Sequence, residues 1–178
     1  MPRQVLLLRG VNVGRGNRIG MAELREALGE AGYEDVRTHL QSGNVILSSR
    51  ARPDRLAADC ASLIATRFGL DIDVQARSRD QLAEVVRRDR LGAAATEPKA
   101  YQVTFLAGEL PKGTIERLEA AAAGDERVVA IGREVYAWHP AGVARSKLWA
   151  LLAGRGLGVW GTSRNWTTVK RLLELAGD

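Results

Sequence analysis

The chain is poor in the residues that most often give a chemistry away. Its 178 residues include one cysteine, two histidines and only 5% aromatics. A single cysteine, Cys60, excludes an internal disulfide, so nothing points to an oxidising compartment. His39 and His139 lie far apart, neither at metal-ligand spacing, and no metal is expected. No apolar run approaches the roughly 18 residues needed to cross a bilayer. The stretch Val5 to Leu8 is too short for a signal peptide, since Arg9 and Gly10 interrupt it. A cytoplasmic protein without membrane association is therefore expected. Lysine is scarce as well: four lysines accompany 22 arginines, and alanine is abundant, as in GC-rich genomes. Arginine content alone thus argues little. No nucleophile–base pair or carboxylate pair is legible from spacing, and no cofactor is expected.

What is present is an ordinary globular composition, 46% hydrophobic and 26% charged. The length suits one large domain or two compact ones of about 85 residues. The net charge of +5 is unevenly spread. Residues 1–18 hold Arg3, Arg9, Arg15 and Arg18 with no acid. Residues 139–178 hold Arg145, Lys147, Arg155, Arg164, Lys170 and Arg171 against Glu174 and Asp178. Both ends are thus +4 around a middle of −3, and could form one positive face if the fold joins them.

Periodicity outlines two α+β subdomains. Gln4 to Val13 reads as a strand entering a glycine-rich turn, and Met21, Leu24, Ala27, Leu28 and Ala31 follow at helical spacing. Val36, Thr38 and Leu40 alternate as a strand, and Val45 to Leu47 make a second after the turn Ser42-Gly43. Pro53 opens a second helix with the stripe Leu56, Cys60, Leu63, Ile64 and Phe68, and Ile72 to Ala76 alternate again. This is the ferredoxin-like order β-α-β-β-α-β, with both helices expected on one sheet face. Ser78-x-x-Gln81 is a capping box for a third helix, to about Arg90. The second half reads as a smaller β-α-β-β-α-α: a strand at Tyr101–Leu106, a helix at Pro111–Ala122, a hairpin around Gly132-Arg133, then helices at 144–153 and 166–176. The expected boundaries are a subdomain at 1–92, a linker at 93–100 and a subdomain at 101–178.

Three polar segments could carry a ligand. Arg9 to Gly20 joins a strand to a helix, and its glycines and arginines could cradle an anion. It fits neither the dinucleotide nor the P-loop fingerprint, because position 19 is isoleucine and no Gly-Lys-Ser/Thr occurs. Gln41-Ser42-Gly43-Asn44 is a tight turn whose amides suit a base edge or a sugar. Gly161 to Thr168 precedes the last helix, with Thr162, Ser163 or Asn165 able to cap it and Arg164 ill-placed at a helix start. Each segment also has a purely local explanation as a turn or cap. The four tryptophans, Trp138, Trp149, Trp160 and Trp166, read as core.

Taken together, Leu8 to Gly14, Met21 to Arg25, Gln41 to Val45, Ser146-Lys147-Leu148, Thr162 to Trp166 and Thr168-Val169 resemble one bacterial family, domain of unknown function 1697. The resemblance implies two α+β subdomains and supplies no function. It marks Arg9, Asn12, Gln41, Ser42, Asn44, Lys147, Arg164 and Asn165 as the polar residues within family motifs. Departures are Gly14-Arg15 where the family has a glycine pair, Arg18 for lysine, and His39 for tyrosine, which tells against a catalytic His39.

Three functions remain open. The first is a binding protein for nucleic acid or a nucleotide, in a basic cleft between the subdomains where the three segments converge. The second is an enzyme acting on a small phosphorylated or carboxylated substrate, although no general base is visible. The third is an interaction module whose motifs are structural. The reading leans away from an enzyme.

Overall fold

Short, continuously buried apolar strands set the architecture of the first half. In the computed structural model, which describes residues 1–177, the first half contains β1 (Arg3–Leu8), α1 (Met21–Glu30), β2 (Glu34–His39), β3 (Asn44–Ser48), α2 (Pro53–Phe68) and β4 (Val74–Ser78). The four strands form an antiparallel sheet in the order β2-β3-β1-β4. Leu6 lies opposite Val45 and Ala76, and Leu8 opposite Val74, so these side chains share one face. Met21, Leu24 and Leu28 of α1 and Leu56, Cys60 and Ile64 of α2 pack on that face as one core. Leu63 and Phe68 are half-buried at its rim. Both helices thus cover the same side of the sheet, as the periodicity implies.

The second half contains β5 (Tyr101–Leu106), α4 (Thr114–Ala121), β6 (Arg127–Ile131), β7 (Glu134–Trp138), α5 (Lys147–Ala153) and β8 (Gly161–Asn165). Its sheet runs β6-β7-β5-β8, again antiparallel, over a core that includes Leu106, Leu118, Val135, Leu148 and Leu152. Helices α3 (Arg79–Arg87) and α6 (Trp166–Gly177) follow β4 and β8. The chain divides into two compact units: Met1–Ala83 with the chain from Arg171 on, and Glu84–Lys170. Trp138 and Trp166 are buried, and Tyr101 stacks on Trp166 with ring centroids 4.9 Å apart. Among the described residues no helix is long and apolar enough to cross a membrane.

Strand β8 is the element that periodicity does not show. Gly161-Thr162-Ser163-Arg164-Asn165 has no apolar alternation and reads as a cap. Pairing with β5 makes it a strand, and its first residue has no room for a side chain: a Cβ on Gly161 would meet Thr104 Cγ2 at 2.9 Å. With β8 in place, both halves follow one plan, β-α-β-β-α-β-α. The repeat extends to single hydrogen bonds. Leu8 N donates to Gly43 O, and Leu106 N to Arg133 O, both at 2.8 Å. Arg9 N donates to Asp73 O, and Ala107 N to Trp160 O, both at 2.9 Å. Ser49 N reaches Pro2 O at 3.0 Å, and His139 N reaches Ala100 O at 3.1 Å. Ser78 Oγ accepts from Gln81 N at the start of α3, and Asn165 Oδ1 from Thr168 N at the start of α6. α4 and α5 start three residues later than periodicity suggests, α5 because Ser146 Oγ caps it by accepting from Trp149 N at 2.9 Å.

Candidate functional site

Two turns of the first unit meet at the end of its sheet. The β1–α1 connection, residues 9–20, is held at both ends by apolar anchors, since Val11 and Ile19 are buried in the core. Between them Asn12 adopts a left-handed backbone with φ 56°, a conformation that asparagine tolerates better than most residues. Its side chain acts as a clip. Nδ2 donates to Ile19 O at 2.9 Å and to Gln41 O at 2.7 Å, while Oδ1 accepts from Ile19 N at 3.0 Å. The glycine-rich loop and the Gln41–Asn44 turn therefore form one surface. That turn is locked from inside: buried Asn44 donates through Nδ2 to His39 O at 2.9 Å and Ser42 Oγ at 3.2 Å. Gly43, at φ 83°, lies so close to β1 that a Cβ there would sit 2.6 Å from Leu8 Cβ.

Residues 13–18 project from this base and are exposed. Arg18 donates to Gly14 O at 2.7 Å across the loop, and Arg15 stands at its tip. Arg9 is half-buried and pairs with Asp73 at 3.4 Å. Val13 and Leu40, 67% and 57% exposed, place two large apolar side chains on the same turns. Exposed cationic side chains are what this surface offers an anion.

The other sequence-derived residues belong to the second unit. Arg164 lies in β8, not at a helix start, opposite Val103. Its guanidinium is buried and donates to Thr162 Oγ1 at 2.8 Å and Ser163 O at 2.9 Å; burial pulls its pKa down to about 10. Asn165 is the cap of α6, and Lys147 is the exposed first residue of α5. Cys60 is inert: burial pushes its thiol up to about 12. Among the described residues no cluster of His, Cys, Asp and Glu could hold a metal ion.

Sequence spacing does not reveal a polar lock in the second unit. His139 is fully buried, and its Nδ1 lies 2.8 Å from Glu126 Oε1 and 3.2 Å from Ser146 Oγ. Glu126 Oε2 also accepts from Ala123 N at 3.0 Å. Burial alone would raise the Glu126 carboxyl, but hydrogen bonds from Ser146, Ala123 and His139 prevail and lower it. A serine, a histidine and a carboxylate meet here, yet not as nucleophile, base and orienting acid. Carboxylate and hydroxyl share one ring nitrogen, so no second nitrogen is left facing the serine to take its proton. His139 Nε2 is buried with no partner among the described residues.

Residues 1–136 match the family model described as a protein of unknown function, DUF1697. The conserved bacterial protein SP0830 from Streptococcus pneumoniae has a similar structure, with a TM-score of 0.77 and 20% identity over 98% of each chain. That likeness is one of fold. No curated protein matches the chain.

Proposed function

The chain belongs to the DUF1697 family, described as a protein of unknown function, and we propose from the chain's own geometry that it binds an anionic ligand, a nucleic acid or nucleotide, on the loop surface of its first unit. The observation that carries this is a comparison of the two halves. The second half joins β5 to α4 in seven residues, 107–113, whereas the first takes twelve, 9–20, to make the equivalent connection. The fold does not require the extra length. It is also pinned by Val11, Asn12 and Ile19, so its tip is presented on a fixed base. The tip carries Arg15 and Arg18 outward, with Arg9 at its root. Cations suit phosphates, and exposed Val13 and Leu40 offer apolar contact to a sugar or base face.

A fluorescence-anisotropy titration with labelled single-stranded oligonucleotides tests this, with free nucleotides as competitors. Three phosphate contacts predict a loss of about 20-fold in affinity for a single strand between about 50 and 200 mM salt. Displacement by a mononucleotide at comparable concentration would assign the smaller ligand. No saturable binding of either probe at low salt overturns the proposal.

A further inference from the structure

The same comparison between halves singles out a second place. In the first half β3 is joined to α2 by four residues, 49–52; in the second, β7 is joined to α5 by eight, 139–146. The neighbouring helix-to-strand connection is longer too, with residues 122–126 standing where the first half has 31–33. The two enlarged loops border an open pocket of about 680 Å³, lined by residues 123–126 and most of 140–146. That volume lies within the usual range for small-molecule sites, about 300–1,000 Å³.

The walls are fixed by the polar lock. Glu126, from one loop, is bound to His139 and Ser146 at the two ends of the other. Gly142 N donates to His139 O at 2.8 Å and Ser146 N to Val143 O at 3.1 Å, which bends the second loop around the cavity. The lining carries opposite charges: Asp125 and Glu126 on the first loop, Arg145 on the second. Glu126 is engaged by the lock. Asp125 and Arg145 are exposed, and among the described residues neither makes an ion pair, with the other or with any group. A cavity with fixed walls and an uncompensated acid and base matches a ligand that bears both charges itself.

The geometry points to a binding site for a small zwitterion, a free α-amino acid or a compound of that charge pattern. Arg145 receives the carboxylate and Asp125 the ammonium, with Ala123, Pro140, Ala141 and Ala144 against the side chain. This site is separate from the loop surface of the first unit and stands or falls independently of it.

Two-dimensional NMR titration of the full chain with free glycine, leucine, glutamate and arginine tests the assignment. At least one should shift the amides of residues 123–126 and 139–146 saturably. Its N-acetyl and amide derivatives, each lacking one charge, should bind at least tenfold more weakly. Arg145→Glu and Asp125→Lys should each remove the shifts while leaving the rest of the spectrum in place. Because both side chains are exposed, these variants are expected to fold, and the spectrum itself reports whether they do. No saturable shift with any of the four, shifts confined to other residues, or equal binding of the capped derivatives overturns the proposal.

Discussion

Arg77 and Arg164 occupy equivalent positions in the two halves. Each is the fourth residue of its sheet's edge strand, opposite a valine of the central strand: Val5 for Arg77 and Val103 for Arg164. Each guanidinium donates through Nη1 to the side chain two residues back and to the carbonyl one residue back. For Arg77 these are Gln75 Oε1 at 3.0 Å and Ala76 O at 2.9 Å; for Arg164 they are Thr162 Oγ1 and Ser163 O. Both residues are buried. A buried cation persists only where its donors are satisfied, so this shared geometry is part of what the repeat preserves.

Lysine cannot reproduce that fork. Arg77→Lys and Arg164→Lys should each lower stability, by about 1–3 kcal/mol, the usual worth of hydrogen bonds to a charged group. Urea unfolding measures this. A neutral effect at either position contradicts the equivalence.

The two turns of the first unit separate steric from conformational demands on glycine. Gly43→Ala meets both a positive φ and Leu8 Cβ, and should cost more than about 2 kcal/mol. Gly14→Ala has φ +63° but open space, and should cost about 1 kcal/mol. Thermal or urea unfolding of the two variants side by side decides it, and equal costs would show that the close approach to Leu8 is relieved elsewhere.

Asn12→Ala removes the clip between the turns. Hydrogen exchange at the Ile19 amide, whose acceptor is Asn12 Oδ1, should speed up by tenfold or more, while the β1 amides stay protected. Ligand affinity at the loop should fall with it, because the loop loses its fixed base. Unchanged exchange at Ile19 would mean that the apolar anchors Val11 and Ile19 suffice.

The loop arginines should act as phosphate contacts. Arg15→Ala and Arg18→Ala should each weaken oligonucleotide binding across sequences and reduce the salt slope by about one ion. Circular dichroism should show both variants folded, since both side chains are exposed. An unaltered slope removes those residues from the interface.

Glu126 makes stability depend on pH. Its folded carboxyl is lower than in the unfolded chain, so its contribution is present above the unfolded value of about 4.3 and is lost as pH falls through the folded one. The melting-temperature gap between the natural protein and Glu126→Gln should be open at neutral pH and narrow below about pH 4. A gap that widens on acidification would reverse the assigned direction.

Much of the fold was legible because its information is local. The stripes of α1 and α2, the apolar runs of β1 and β3, Pro53 at the start of α2 and the capping box of Ser78 and Gln81 declare themselves within a few residues. They placed two α+β halves in order, with the first-half helices on one face. Residue type alone offered Thr162, Ser163 or Asn165 as the cap of the last helix, of which Asn165 is the one that accepts from Thr168 N. The Gln41–Asn44 turn followed from Ser-Gly between strands. Family motifs singled out Asn12 and Asn44, but not what they bond to.

What only tertiary structure decided depends on groups distant in sequence. β8 is a strand because β5 offers it an edge, and a polar pentapeptide carries no period to announce that. Arg164 consequently became a buried strand residue rather than the first charge of a helix. The repeat is invisible residue by residue, because it is conserved in backbone hydrogen bonds, which most side chains permit. The lock of Glu126, His139 and Ser146 joins positions 13 and 7 residues apart in two loops. No periodicity links them, and only the closing of the second sheet sets them within hydrogen-bonding distance.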